Sequence, residues 1–129
     1  MITPYQKYQQ SSVQTASPGK LTIMLYDGAI RFVKQGVEAI ESKDIEKANH
    51  NLIKAQNIIH ELVASLDFQY PIAANLNQIY EYMLHQLITA NVRKSTAPAL
   101  EVLQHLTDLK EAWMIAENPA AQTRKVEHA

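Results

Sequence analysis

The chain has 129 residues, 12 Lys and Arg against 13 Asp and Glu, no cysteine, and a 47% hydrophobic content. That is enough for one domain with a real core that needs no metal or crosslink, while the near-zero net charge excludes a general binder of nucleic acid or acidic membrane. The absence of cysteine rules out a disulfide framework and suits a reducing cytoplasm. The N-terminus lacks the apolar stretch of a signal peptide, and no apolar run approaches the roughly 20 residues that cross a bilayer.

Residues 1–16 form a polar stretch carrying Tyr5, Tyr8 and Val13, expected to be a flexible arm. Three glycines and five prolines are few breakers for this length, which favours long helices. The first helix is predicted from Pro18 to Glu41, with Ser17 as N-cap and Pro18 where a missing N–H costs nothing. The apolar pattern runs straight through Asp27-Gly28, so this pair marks close helix packing and not a turn. Asp44 caps a second helix reaching about Leu66, and the short "SKD" turn makes the two antiparallel neighbours. "DFQYP" breaks the chain before a third helix, from about Ile72 to Val92. "RKST" precedes a fourth, from about Ala97 to Ala116, with Pro98 in its first turn. Residues 118–129 are expected to be a disordered tail, which leaves residues 17–117 for the bundle.

Apolar residues recur in steps of three and four. The second helix offers Ile45, Ala48, Leu52, Ala55, Ile59, Leu62 and Leu66. The third offers Ala73, Leu76, Tyr80, Met83, Leu87 and Ala90, and the fourth Ala99, Val102, Leu106, Leu109, Trp113 and Ala116. Seams of that spacing pack at about +20°, as in four-helix bundles. The fold predicted is all-α: an antiparallel up-down-up-down four-helix bundle with a flexible N-terminal arm.

Chemistry is hard to find in these residues. Glu81–His85 and Glu101–His105 are i, i+4 pairs, whereas a di-iron bundle wants Glu-x-x-His and carboxylates from all four helices. They read as solvated polar pairs and not as a metal site. His50 and Lys54 resemble a phosphotransfer arrangement, but the lysine falls one position late and Ala55 stands where a glycine is usual. No nucleophile–base pair and no glycine-rich phosphate loop is present. No catalytic residue, cofactor or metal is therefore expected.

Apolar surface remains once the seams are assigned. On the third helix Ile72 and Ile79 lie on one shoulder of the seam and Leu84, Ile88 and Val92 on the other, an arc on the order of 200°. Tyr82 points nearly away from the seam, as do Ile53 on the second helix and Leu100 and Ile115 on the fourth. A contiguous exposed apolar patch marks an interaction site, and an amphipathic partner helix laid between bundle helices is the natural occupant. The candidate partner-binding residues are Tyr5, Tyr8, Ile53, Ile58, Ile72, Ile79, Tyr82, Leu84 and Ile88. The arm is a candidate cover for the groove, leaving when a partner arrives.

Five stretches together resemble the FliS family of flagellar secretion chaperones: the two tyrosines of the arm, "ASPGKLTIMLYDGAI" at 16–30, "LIKAQNIIHEL" at 52–62, "NLNQIYEYMLHQLITAN" at 75–91 and "LTDLKEAW" at 106–113. The resemblance implies a bundle that is not an enzyme and that works in the bacterial cytoplasm. Its client would be the disordered C-terminal segment of flagellin, kept from polymerising prematurely and delivered to a component of the flagellar type III export gate. A second flagellar regulator is a further partner to consider, while nucleic acid and membrane insertion are not expected. The chain departs from the family in the loop between the second and third helices, which often has glycines in family members and is made bulkier and stiffer here by Phe68, Tyr70 and Pro71. Two other readings of the same residues are a histidine phosphotransfer-like bundle and a structural bundle that associates with itself.

Overall fold

A computed structural model describes residues 18–118. Four helices account for nearly all of them: α1 (Pro18–Glu41), α2 (Ile45–Ala64), α3 (Pro71–Arg93) and α4 (Thr96–Glu117). Ser17, the arm with Tyr5 and Tyr8, and the tail beyond Asn118 lie outside the described residues.

The helix ends follow from local chemistry. Asp44 accepts a hydrogen bond from the Lys47 N–H at 3.1 Å, satisfying one of the amides that the first turn of α2 leaves without a helical partner. Ser65 stops α2 two residues before the expected end: its hydroxyl donates to Leu62 O at 2.7 Å and its N–H to Glu61 O at 3.0 Å. Pro71 opens α3, where its fixed φ suits the first turn. The turns that close α1 and α3 each place a lysine in the left-handed region, Lys43 at φ 60° and Lys94 at φ 49°.

The helices pack in a square. α1 neighbours α2 and α4, and α3 neighbours the same two from the opposite corner. Pairings along the helices give their directions. Gly28 meets Ile58 and Gly36 meets Leu52, so α2 descends as α1 rises. Gly19 meets Glu117 and Asp27 meets Lys110, so α4 descends too. This is the up-down-up-down bundle expected from the seams.

The seam residues form the core. All six predicted for α3 are buried, as are Ala48, Leu52, Ala55, Ile59 and Leu62 of α2 and Ala99, Val102 and Leu106 of α4. Two predicted members are corrected. Ile45 is 65% exposed because it is the first residue of α2, at the end of the bundle, with no neighbour to cover it. Ala116 is exposed in the last turn of α4, and Leu109 and Trp113 are only partly buried as the core thins towards that end. Glycine sets the closest approach. A Cβ on Gly28 would lie 3.1 Å from Ile58 Cδ1, and one on Gly36 would lie 2.7 Å from Leu52 Cδ2. The Asp27-Gly28 step is thus a site of tight α1–α2 packing inside a continuous helix.

One polar contact crosses the core on its diagonal. The hydroxyls of Tyr26 in α1 and Tyr80 in α3 lie 2.5 Å apart, both side chains essentially inaccessible. Each phenol thereby meets its hydrogen-bonding need in an apolar interior. Burial, and then the bond to Tyr80, pushes the Tyr26 phenol far above its ordinary range. Burial also raises Tyr80, against a lowering by the bond to Tyr26.

Candidate binding surface

The outer faces of α2 and α3 carry the apolar residues that the seams leave over, and cross-helix bonds show which neighbour each face meets. Asn91 of α3 donates through Nδ2 to Asn49 Oδ1 of α2 at 2.8 Å. Ile53 follows Asn49 by four residues, and Ile88 and Leu84 precede Asn91 by three and seven. On antiparallel helices these spacings place all three on the same side of the amide bridge, along the α2–α3 groove. Ile53 and Ile88 are 42% and 49% exposed, and Leu84 is half-buried against the core. A helix at the surface normally shows polar groups there, so two half-open isoleucines facing one groove form a ready apolar footing.

The other shoulder of α3 faces α4. Tyr82 O–H donates to Glu101 Oε1 at 2.6 Å, and Gln86 Nε2 donates to Glu101 Oε2 at 2.7 Å. His105 Nε2 lies 3.6 Å from the same carboxylate, with its ring edge-on to Tyr82 at 6.1 Å between centroids. The bonds from Tyr82 and then Gln86 hold the Glu101 carboxyl below its ordinary value, and the same carboxylate raises the Tyr82 phenol. Tyr82 is thus an exposed aromatic ring whose hydroxyl is already committed to joining α3 and α4. Ile79 lies half-buried against the core, two turns from Gln86 on the α4-facing side, and Ile72 stands exposed in the first turn.

The predicted residues therefore do not form one patch. Ile53, Leu84 and Ile88 share the α2–α3 groove, whereas Ile72, Ile79 and Tyr82 belong to the α4 side of α3. Ile58 faces the other way, over Gly28 of α1, and is partly buried. Tyr5 and Tyr8 lie outside the described residues. Leu100 is exposed on α4, and Ile115 is partly buried. The loop between α2 and α3 adds Phe68 and Tyr70, both more than 60% exposed and beside Ile72 in the chain.

The sequence reading missed the polar partners of these residues. Glu101, Gln86, Asn49 and Asn91 join helices that are far apart in the chain, and single-helix periodicity carries no signal for such pairs. The one available hint is an amide recurring inside an otherwise apolar stripe.

Among the described residues no three His, Cys, Asp or Glu side chains are grouped to hold a metal ion, and no helix is long and apolar enough to cross a membrane. His50 is exposed on α2, with Lys54 one turn further on. What the fold and its faces define is a helical bundle with surplus apolar surface, which is the class of a protein-binding module. Comparison with known proteins narrows this. The family model described as flagellar protein FliS matches residues 1–120. The flagellar secretion chaperone FliS of Bacillus subtilis (strain 168) is 46% identical over 110 residues, covering 85% of this chain and 83% of that protein. The protein of the same name from Salmonella typhimurium is 37% identical over 107 residues, covering 81% and 79%. That of Vibrio cholerae is 33% identical over 105 residues, covering 80% and 77%. The chain belongs to the FliS family, a family of flagellar secretion chaperones and not of enzymes.

Proposed function

We propose that this chaperone binds the disordered C-terminal segment of flagellin in the cytoplasm, prevents its premature polymerisation and hands it to a component of the flagellar type III export apparatus. The observation that carries the reading is the exposure of Ile53 and Ile88 on one groove of a family member whose relatives are named flagellar secretion chaperones. An amphipathic client buries its apolar face there and folds as it binds. The client's ordering then costs free energy that keeps a specific complex releasable. The ring of Tyr82, with Ile72 and Ile79, extends the contact round α3 for a client that wraps the bundle. The arm, through Tyr5 and Tyr8, competes with the client for part of this surface, and the same surface is where a second flagellar regulator would meet the client's footprint.

The test is co-elution of the full chain with the C-terminal segment of the flagellin from the same genome. Ile53→Asp and Ile88→Asp are expected to keep the helical circular dichroism of the parent and to lose the complex. If both variants fold and bind as the parent does, the groove is not the docking surface. Deleting residues 1–12 is expected to tighten client binding, and an unchanged affinity would remove the arm from the account.

A further inference from the structure

The apolar run of the α2–α3 groove ends at a polar device that carries a single positive charge, on Lys94. Asn91 holds the network together with three bonds. Its Nδ2 donates to Asn49 Oδ1 at 2.8 Å, and both its backbone O and its Oδ1 accept from Lys94 Nζ, at 2.7 and 2.6 Å. Asn49, an exposed residue, accepts from Asn91, and its own amide N–H groups meet no acceptor among the described residues. Lys94 has spent two ammonium protons and keeps a third. What the network still offers outward is mostly donors, both protons of Asn49 Nδ2, the second of Asn91 Nδ2 and the third of Lys94 Nζ, against one remaining lone pair on each amide oxygen, and its one formal charge is the positive charge of Lys94. The nearest acid in sequence is Glu46, exposed one turn before Asn49.

Apolar contact alone fixes no register, because a stripe of isoleucine and leucine accepts a helix shifted by one turn at little cost. A polar group set in such a seam removes that freedom, since only one register gives it a partner. An occupant that covers Asn49 with a methyl group leaves donors buried and unpaired, which costs more than the lost bond itself.

We propose that the groove selects the register of its occupant by charge complementarity: a bound amphipathic helix carries a hydrogen-bond acceptor, a carboxylate or an amide oxygen, within its apolar stripe, set against Asn49 and Lys94. The inference rests on the client reading above and names the chemistry of the client position that meets the bridge. Lys94 supplies the charge, Asn91 holds it in place, and Asn49 presents the donor edge beside Ile53 and Ile88.

Asn49→Asp is the discriminating change, because it is nearly isosteric, keeps an oxygen to accept from Asn91, and turns the donor edge into an acceptor. Calorimetric titration of the full chain with the synthetic C-terminal segment of the same genome's flagellin gives the readout. Gln35→Glu, the corresponding exchange at a partly exposed position of α1, the helix diagonal to α3, serves as control. Asn49→Asp is expected to weaken binding about tenfold or more, and Gln35→Glu to leave it unchanged. A panel of segments, each with one Asp, Glu, Asn or Gln replaced by Leu, is expected to contain one that binds parent and Asn49→Asp alike. If Asn49→Asp binds as the parent does while Ile53→Asp does not, the groove binds by apolar contact alone and the proposal is overturned. If neither variant changes binding, the segment docks elsewhere and the proposal fails with the groove. If the parent itself does not bind, the client reading fails and takes the proposal with it. A second variant, Asn49→Ala, guards against misfolding and is expected to weaken binding by a smaller factor.

Discussion

Tyr26 and Tyr80 show how much a single residue's setting escapes the sequence. Periodicity places Tyr80 in the seam of α3, yet nothing in the chain says that its hydroxyl meets that of a tyrosine 54 positions earlier, across the diagonal of the bundle. Tyr26→Phe leaves the Tyr80 hydroxyl buried without its partner and is expected to lower unfolding free energy by about 1–3 kcal/mol. Tyr26→Phe with Tyr80→Phe removes both polar groups and is expected to recover much of that loss. Urea denaturation of Tyr26→Phe, Tyr80→Phe and the double variant checks this, and a double loss equal to the sum of the two single losses would show that the pair is not coupled. The pH dependence follows with a definite sign. Both phenols have folded-state pKa values above their unfolded value, so they favour the neutral form. Their contribution is complete below the unfolded pKa of about 10 and is lost as pH rises above it, because the unfolded chain releases those protons first. Unfolding free energy of the parent is therefore expected to fall more steeply above pH 10 than that of the double Phe variant. Lys43 gives the opposite kind of prediction. Its φ of 60° is strained for a residue with a Cβ, so Lys43→Gly is expected to stabilise by about 0.5–1 kcal/mol, read as a raised urea midpoint. Lys94→Gly gains less, because Lys94 also holds Asn91.

At the scale of helices the sequence was far more legible. Capping chemistry and prolines are local, so Asp44, Pro71 and the short turns set the boundaries within a few residues of what is observed. The seams were legible because burial imposes a 3.6-residue period. They failed at Ile45 and Ala116, where the period continues past the end of the bundle and the neighbouring helix does not. Which shoulder of α3 faces which neighbour was not legible, because that depends on packing between helices. The glycines of α1 separate two effects that oppose each other. Replacing a mid-helix glycine by alanine gains about 1 kcal/mol of helix propensity, whereas overpacking costs about 1–3 kcal/mol. At Gly28 the added methyl meets one terminal atom of a partly buried Ile58 at 3.1 Å, and propensity is expected to win or balance. At Gly36 it meets two atoms of the fully buried Leu52, at 2.7 and 2.9 Å, and overpacking is expected to win. Thermal melts of Gly28→Ala and Gly36→Ala check the contrast, and a more stable Gly36→Ala would mean that α1 and α2 separate easily.

For the molecule as a whole, sequence and fold converge on a binding bundle because the apolar content exceeds what four seams consume. Ile53 and Ile88 were legible as leftover apolar residues, and their shared groove became visible only when Asn49 and Asn91 fixed the α2–α3 pairing. Tyr82 was legible as exposed but not as bonded, so its substitution disturbs the α3–α4 join as well as the surface. Tyr82→Phe is therefore the gentler probe of client contact, since it keeps the ring and gives up only the bond to Glu101. The measurement that bears most directly on the account is calorimetric titration of the full chain with the C-terminal segment of its own flagellin, repeated at several temperatures. Folding of a disordered client onto apolar surface predicts one-to-one binding with a large negative heat-capacity change. Absence of binding heat at every temperature, with no complex on a sizing column, would contradict it.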